Sequence, residues 1–185
     1  MKCIYSFIPA MFALSTAAFG GNHDPKAIAA ALPKATLSLL DGIAKSEASN
    51  GPATSAKFEI DDNGQLVLSV YNVAEGLAVS PESATLMEVV YIATQAEPVA
   101  SVEVFADKQH IARAASHMTL FQLSKLTLSE VVQAAISFRN GTPIDVRNPL
   151  VREHQPVADV IMLDSYNEPF IVTVNLANGR ASKRK

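Results

Sequence analysis

The 185-residue sequence has no tryptophan and only one cysteine, and aromatic residues make up just 6% of it. Stacking platforms for bases or sugar rings are therefore poorly supplied. Charged residues account for 18% and the formal charge is -3, so no broad basic surface marks the chain for nucleic acid. The lone cysteine is Cys3, which leaves the rest of the chain without disulfides, thiol nucleophiles or cysteine metal sites. A Gly-x-Ser-x-Gly elbow, a His-Glu-x-x-His zinc helix and a Gly-rich phosphate loop are also missing. Apolar residues, by contrast, are plentiful at 49%. That suits one or two compact domains and excludes a disordered chain.

Lys2 precedes an uncharged run from Ile4 to Phe19, closed by Ala17, Ala18, Gly20 and Gly21. A positive start, a short apolar core and a small-residue end describe a secretory signal peptide over residues 1–20. The run falls short of the roughly 20 apolar residues of a spanning helix. Cys3 lies ahead of the apolar core, misplaced for lipid attachment at a cleavage site. The expected location is the periplasm or the exterior. Residues 21–33 then form an N-terminal segment.

Beyond it a unit recurs. Lys34-Ala35-Thr36-Leu37-Ser38 returns as Lys125-Leu126-Thr127-Leu128-Ser129, 91 positions later. Each start leads into a helical stripe, Leu37, Leu40, Ile43 and Ala44 in one copy and Leu128, Val131, Val132 and Ala135 in the other. Thr127 and Glu130 have capping-box spacing, whereas the first copy has Leu39 in the glutamate position. Asn50-Gly51 and Asn140-Gly141 follow as helix stops, since both residue types tolerate the left-handed conformation.

Strand signals come after each helix. Phe58 and Ile60 alternate with Lys57, Glu59 and Asp61, and Leu66, Leu68 and Val70 resume the alternation after Asp62-Asn63-Gly64. This is a hairpin signature. Two further strands, Leu86 to Thr94 and Val99 to Phe105, complete the first unit. Ser80-Pro81-Glu82 offers a competing helix start, but Val89, Val90, Tyr91 and Ile92 favour a strand. In the second unit, strands over 157–163 and 170–176 flank the turn 164–169. Between the units, residues 108–124 read as a connector helix with Ile111, Ala115, Met118 and Phe121 or Gln122 along its stripe. The expected fold is α+β: two repeated units, 34–107 and 125–180, each a helix on a small antiparallel sheet, joined by that helix and followed by a basic tail at 181–185.

A helix beginning near Thr-Leu-Ser, antiparallel strands, and a last strand running through Phe170-Ile171-Val172-Thr173-Val174-Asn175-Leu176 to Asn178-Gly179-Arg180 resemble the PepSY domain of exported propeptides and envelope proteins. Asn175 stands where that family usually has an acid. In the first unit, Val104-Phe105-Ala106-Asp107 supplies an acid but no following glycine. The resemblance implies tandem PepSY-like units without catalytic residues. It also implies a protein partner in the cell envelope, such as a peptidase that the units inhibit or regulate.

The remaining chemistry lies in histidines and carboxylates. His110 and His117 are two helical turns apart with Arg113 on nearly the same face, and Asp107 lies one turn before His110. Metal-gripping imidazoles prefer a spacing of four, and Arg113 would oppose a cation, so Asp107, His110, Arg113 and His117 read as a polar helix face. Tyr71 and Tyr91 are candidates for a ligand groove on the sheet, although half-buried core positions suit them better. His154 falls in an exposed loop, and Asp61-Asp62-Asn63-Gly64 is explained by turn chemistry without an ion. The tail residues Arg180, Lys183, Arg184 and Lys185 could touch anionic lipid, although a solvated terminus is the better explanation of them. No catalytic residue, cofactor ligand or metal ligand is assigned. Three function classes stay open: a non-catalytic protein-binding module, which is the leading expectation, a small-molecule or lipid carrier with a pocket between helix and sheet, and an enzyme built on His110 and His117.

Overall fold

The protein is described by a computed structural model over residues 23–184; the expected signal peptide, with Cys3, lies outside the described residues. Asp24 caps the short helix α1 (Pro25–Ala31) by accepting from the Lys26 N–H, and a 3-10 turn follows at Leu32–Lys34. Ser38 accepts from the Asp41 N–H to start α2 (Leu39–Asn50), two residues later than the repeat alignment places it. The inward residues are therefore Leu39, Gly42, Ile43 and Ser46, while Leu40 is half-buried and Ala44 of the expected stripe is exposed. The chain then forms four antiparallel strands, β1 (Ala53–Ile60), β2 (Leu66–Val73), β3 (Leu86–Ile92) and β4 (Ala100–Val104). Helices α3 (Lys108–Gln122) and α4 (Leu128–Phe138) follow, the latter opened by the Thr127–Glu130 capping box that the spacing predicts. Four more strands complete the chain: β5 (Thr142–Arg152), β6 (Gln155–Leu163), β7 (Pro169–Asn175) and β8 (Ala181–Lys183).

The fold is α+β, but in place of two small sheets there is one sheet of eight strands in the order β4-β3-β2-β1-β5-β6-β7-β8. The two four-stranded runs meet where β1 pairs with β5, a short ladder that matches Ala56 with Val146 and Lys57 with Asp145. The sequence pattern misses β5. Pro143 and Pro149 interrupt its alternation, and the register against β6 shifts beside each of them, as expected when a strand that lacks two donors must bulge. The β5–β6 connection is a two-residue hairpin turn in which Glu153 and His154 both take positive φ (50° and 63°), so His154 is exposed as expected, in a connection of minimal length. The competing helix over 81–94 is resolved as a single 3-10 turn at Pro81–Ser83 followed by β3. Asp61 accepts from the Asn63 and Gln65 N–H groups, and Gly64 has φ of 75°, which is the turn chemistry expected there.

One sheet face carries the main core. Phe58, Leu68, Val89, Tyr91, Val160, Met162 and Val174 pack against Leu39 and Ile43 of α2 and Val131 and Val132 of α4. Gly42 lets α2 lie close on β2, because a Cβ there would overlap the Leu68 side chain. Helix α3 covers the other face, where Tyr71, Val73, Leu86, Phe105, Ala114 and Met118 form a smaller cluster. Its buried stripe differs from the expected one: Ala114, His117, Met118, Leu120 and Phe121 point inward, while Ile111 is 39% exposed. Two other expectations change. The helix stop at Asn140-Gly141 is not left-handed, since α4 ends in an extended Arg139. The basic tail is partly structured, with β8 paired to β7 and Arg184 bound to Asp159 at 3.4 Å.

Among the described residues no single helix is long and apolar enough to cross a membrane.

Ile43 is fully buried between helix and sheet, whereas Thr127 satisfies one exposed helix start. Ile43→Ala should lower the urea unfolding free energy by about 2–5 kcal/mol and Thr127→Ala by about 1 kcal/mol. Equal costs would mean that α2 does not anchor the core.

Candidate functional site

Alternation along β1 sends Ala56 and Phe58 to the main core and Ser55, Lys57 and Glu59 to the face beneath α3. Their neighbours across the ladders are also polar. Ser55 stands opposite Tyr71, Lys57 opposite Ser69 on one side and Asp145 on the other, and Tyr71 opposite Glu88. The strands thus lay polar side chains side by side across the middle of the sheet. Helix α3 adds Arg113 and His117 from above, and His23 closes in from just before α1. His23, Ser55, Lys57, Ser69, Tyr71, Arg113, His117 and Arg147 enclose a pocket of about 410 Å³.

Charge pairing holds this floor together. Glu59, 1% exposed, accepts from Lys57 Nζ and from Ser69 Oγ, each at 2.8 Å, with His23 Nε2 3.5 Å away. Asp145, 4% exposed, accepts from Arg147 Nε at 2.5 Å. Burial nevertheless dominates its protonation. Loss of solvation raises the Asp145 carboxyl to about 7, against the opposing pull of Arg147 and Lys57. Burial raises Glu88 as well. His117 is lowered to about 4, first by burial and then by the charge of Arg113, and His23 is lowered by burial and by Lys57. Three buried side-chain atoms have no hydrogen-bond partner among the described residues: His23 Nδ1, His117 Nδ1 and Asp145 Oδ1.

The expected polar helix face divides. His117 is 4% exposed and lines the pocket, with Arg113 one turn earlier at its mouth. Asp107 instead caps α3 by accepting from the Gln109 and His110 N–H groups. His110 turns away, pairing with Asp107 at 2.5 Å and stacking on Phe105 with ring centroids 5.2 Å apart. The two histidines therefore share no site, and no group of three or more His, Cys, Asp or Glu residues suited to a metal occurs among the described residues. Tyr71 and Tyr91 do not share a groove either, because β2 and β3 present them on opposite faces; Tyr71 lines the pocket while Tyr91 lies in the main core. Sequence reasoning missed His23, Ser55, Lys57, Glu59, Ser69, Asp145 and Arg147. The signal for Lys57 and Glu59 was present in the alternation of β1, but it describes a solvent face until a helix is known to cover it.

A second, larger groove of about 690 Å³ opens beside α1 and the start of α2. Leu32, Pro33, Leu37, Leu40, Phe58 and Ile136 give it a largely apolar lining. Thr36, Ser38, Asp41, Thr142 and Asn167 add polar groups to it, with Asp41 its single charged side chain.

No family model matches the sequence, and no curated protein matches it. Among solved structures, a candidate lipoprotein from Clostridium difficile 630 is similar over 80% of this chain and 92% of its own, at 14% identity and a TM-score of 0.40.

Asp145 and His117 should drive opposite pH trends. A carboxyl raised in the folded state contributes stability at low pH that is lost as pH climbs toward 7, whereas a histidine lowered in the folded state contributes stability above 6.5 that is lost as pH falls toward 4. Unfolding Asp145→Asn and the unmodified protein in urea at pH 5 and pH 8 should therefore show the variant gaining relative stability at pH 8. An unchanged difference would mean that Asp145 titrates like an exposed acid.

Proposed function

We propose that the protein is an exported, non-catalytic binding protein whose site is the polar pocket between α3 and the sheet. The observation that carries this reading is His117, buried and lining the pocket with a ring nitrogen that has no partner among the described residues. Buried polar atoms are normally satisfied, and leaving one unmatched costs about 1–3 kcal/mol. A neighbouring cavity of about 410 Å³ is large enough for a metabolite-sized molecule to supply the missing partner. Glu59 supports the non-catalytic reading. Its oxygens already hold Lys57 and Ser69, so it positions a cation and does not stand ready as a base. The export reading rests on the N-terminal sequence pattern.

A second reading keeps the protein partner implied by the PepSY resemblance, a peptidase of the cell envelope. Strand β4 favours it. All five of its residues are exposed, Val102 and Val104 by more than half, and such an edge can accept an extended segment as an added strand. In both readings the chain consists of two copies of one unit. The shared order of a helix followed by an antiparallel four-stranded run supports this, with caps at Ser38 and Thr127 that lie 89 positions apart, two fewer than the matching residues suggest.

Thermal unfolding in the presence of different classes of small polar molecules tests the pocket. At about a hundredfold excess over Kd, a ligand should raise the midpoint by about 5–10 °C, and Ser55→Phe, which fills the pocket, should abolish the rise. If no class raises the midpoint, or if the rise survives Ser55→Phe, the site lies elsewhere.

A further inference from the structure

Resting on the reading of this pocket as the binding site, we propose that its ligand is a small oxyanion, held through carboxylate or phosphate oxygens between Arg113 of α3 and the cations of the sheet floor. The chain as a whole is acidic, at -3, yet the pocket gathers Lys57, Arg113 and Arg147. Among the described residues two carboxylates are paired with these cations, Glu59 with Lys57 and Asp145 with Arg147, and burial shifts the floor's third acid, Glu88 opposite Tyr71, toward its neutral form. Arg113 has no ion pair or hydrogen bond among the described residues, so an uncommitted guanidinium stands at the mouth. Arg147 engages Asp145 through Nε, which leaves the two terminal nitrogens of its fork available.

The uncharged lining supplies more donors. The Ser55 and Tyr71 hydroxyls make no side-chain hydrogen bond among the described residues and both line the pocket. The neutral ring of His117 can offer an N–H from its unpartnered Nδ1. A site so rich in donors and positive charge selects against cations and metals. A neutral sugar would leave the excess charge unmet, and discrimination of that kind comes from the groups left unpaired. Guanidinium forks fit the paired oxygens of a carboxylate or phosphate. Because Arg113 lies on the helix and Lys57 and Arg147 lie on the sheet, a compact anion can reach both walls of the pocket at once.

The test follows the His23 and His117 ring signals by nitrogen–proton correlation spectra of the full chain, titrated with succinate, inorganic phosphate or glucose. Succinate or phosphate at millimolar concentration should shift the His117 signals saturably while glucose does not, and the anion that acts identifies the carboxylate or the phosphoryl source. Arg113→Gln, at an exposed and unpaired position, should weaken that binding by at least about tenfold and leave the thermal midpoint unchanged. Shifts with glucose and with neither anion would overturn the oxyanion class while the pocket itself stands. Undiminished anion binding by Arg113→Gln would also overturn it. Silence from all three probes would remove the pocket as a site and this proposal with it.

Discussion

The burial of Glu59 and Lys57 beneath α3 is the constraint around which the rest of the structure is arranged. A carboxylate that is 1% exposed is tolerable only when paired and hydrogen-bonded, because an isolated buried charge costs many kcal/mol. The pairing uses residues from two strands, since Lys57 lies two positions away on β1 and Ser69 faces it from β2. Slipping the β1–β2 register by one residue would turn Lys57 and Glu59 into the main core and Phe58 out of it. The ion pair and the apolar face therefore specify the same alignment. Helix α3 packs tightly where the sheet is apolar, with Met118 against Tyr71 and Val73 in one cluster, and leaves a cavity where the sheet is charged.

The elements whose periodicity is clean were readable in advance. The cap and stripe of α4, the β1–β2 hairpin and the strands β3, β6 and β7 follow from side-chain spacing, whereas α2 starts at Ser38 and turns Leu39, Gly42 and Ser46 inward with Ile43, leaving Ala44 of the expected stripe exposed. Strand β5 was hidden by its two prolines, and its loss from the reading had a large effect. Without β5 there is nothing to pair with β1, so the halves look like separate sheets. The orientation of α3 was misjudged for a related reason. Its sequence offers two weak stripes, and the choice between them depends on a sheet face that already carries Lys57, Glu59 and Arg147. Once that face is covered, a histidine such as His117 is the residue turned inward, and Ile111 is left at the surface.

The candidate site was only half visible for the same physical reason. Arg113, His117 and Tyr71 stood out as polar or aromatic groups on predicted elements, and the fold brings them together. Asp107, His110 and Tyr91 stood out equally, and the fold sends them to a helix cap, a ring stack and the main core. Linear spacing places residues on a face; only the covering of that face decides whether a charge becomes buried, unpartnered and therefore chemically consequential.

The short ladder between β1 and β5 runs directly under the pocket, with Lys57 and Asp145 facing each other across it. Lys57 and Ser55 belong to one four-stranded run and Arg147 to the other, so neither half of the chain owns the cavity. Any twist of the halves about this narrow joint changes the gap between Lys57 and Arg147, and anything that bridges them stiffens the joint in return. Occupancy and the mutual set of the halves are then linked quantities, each shifting the other by the same free energy.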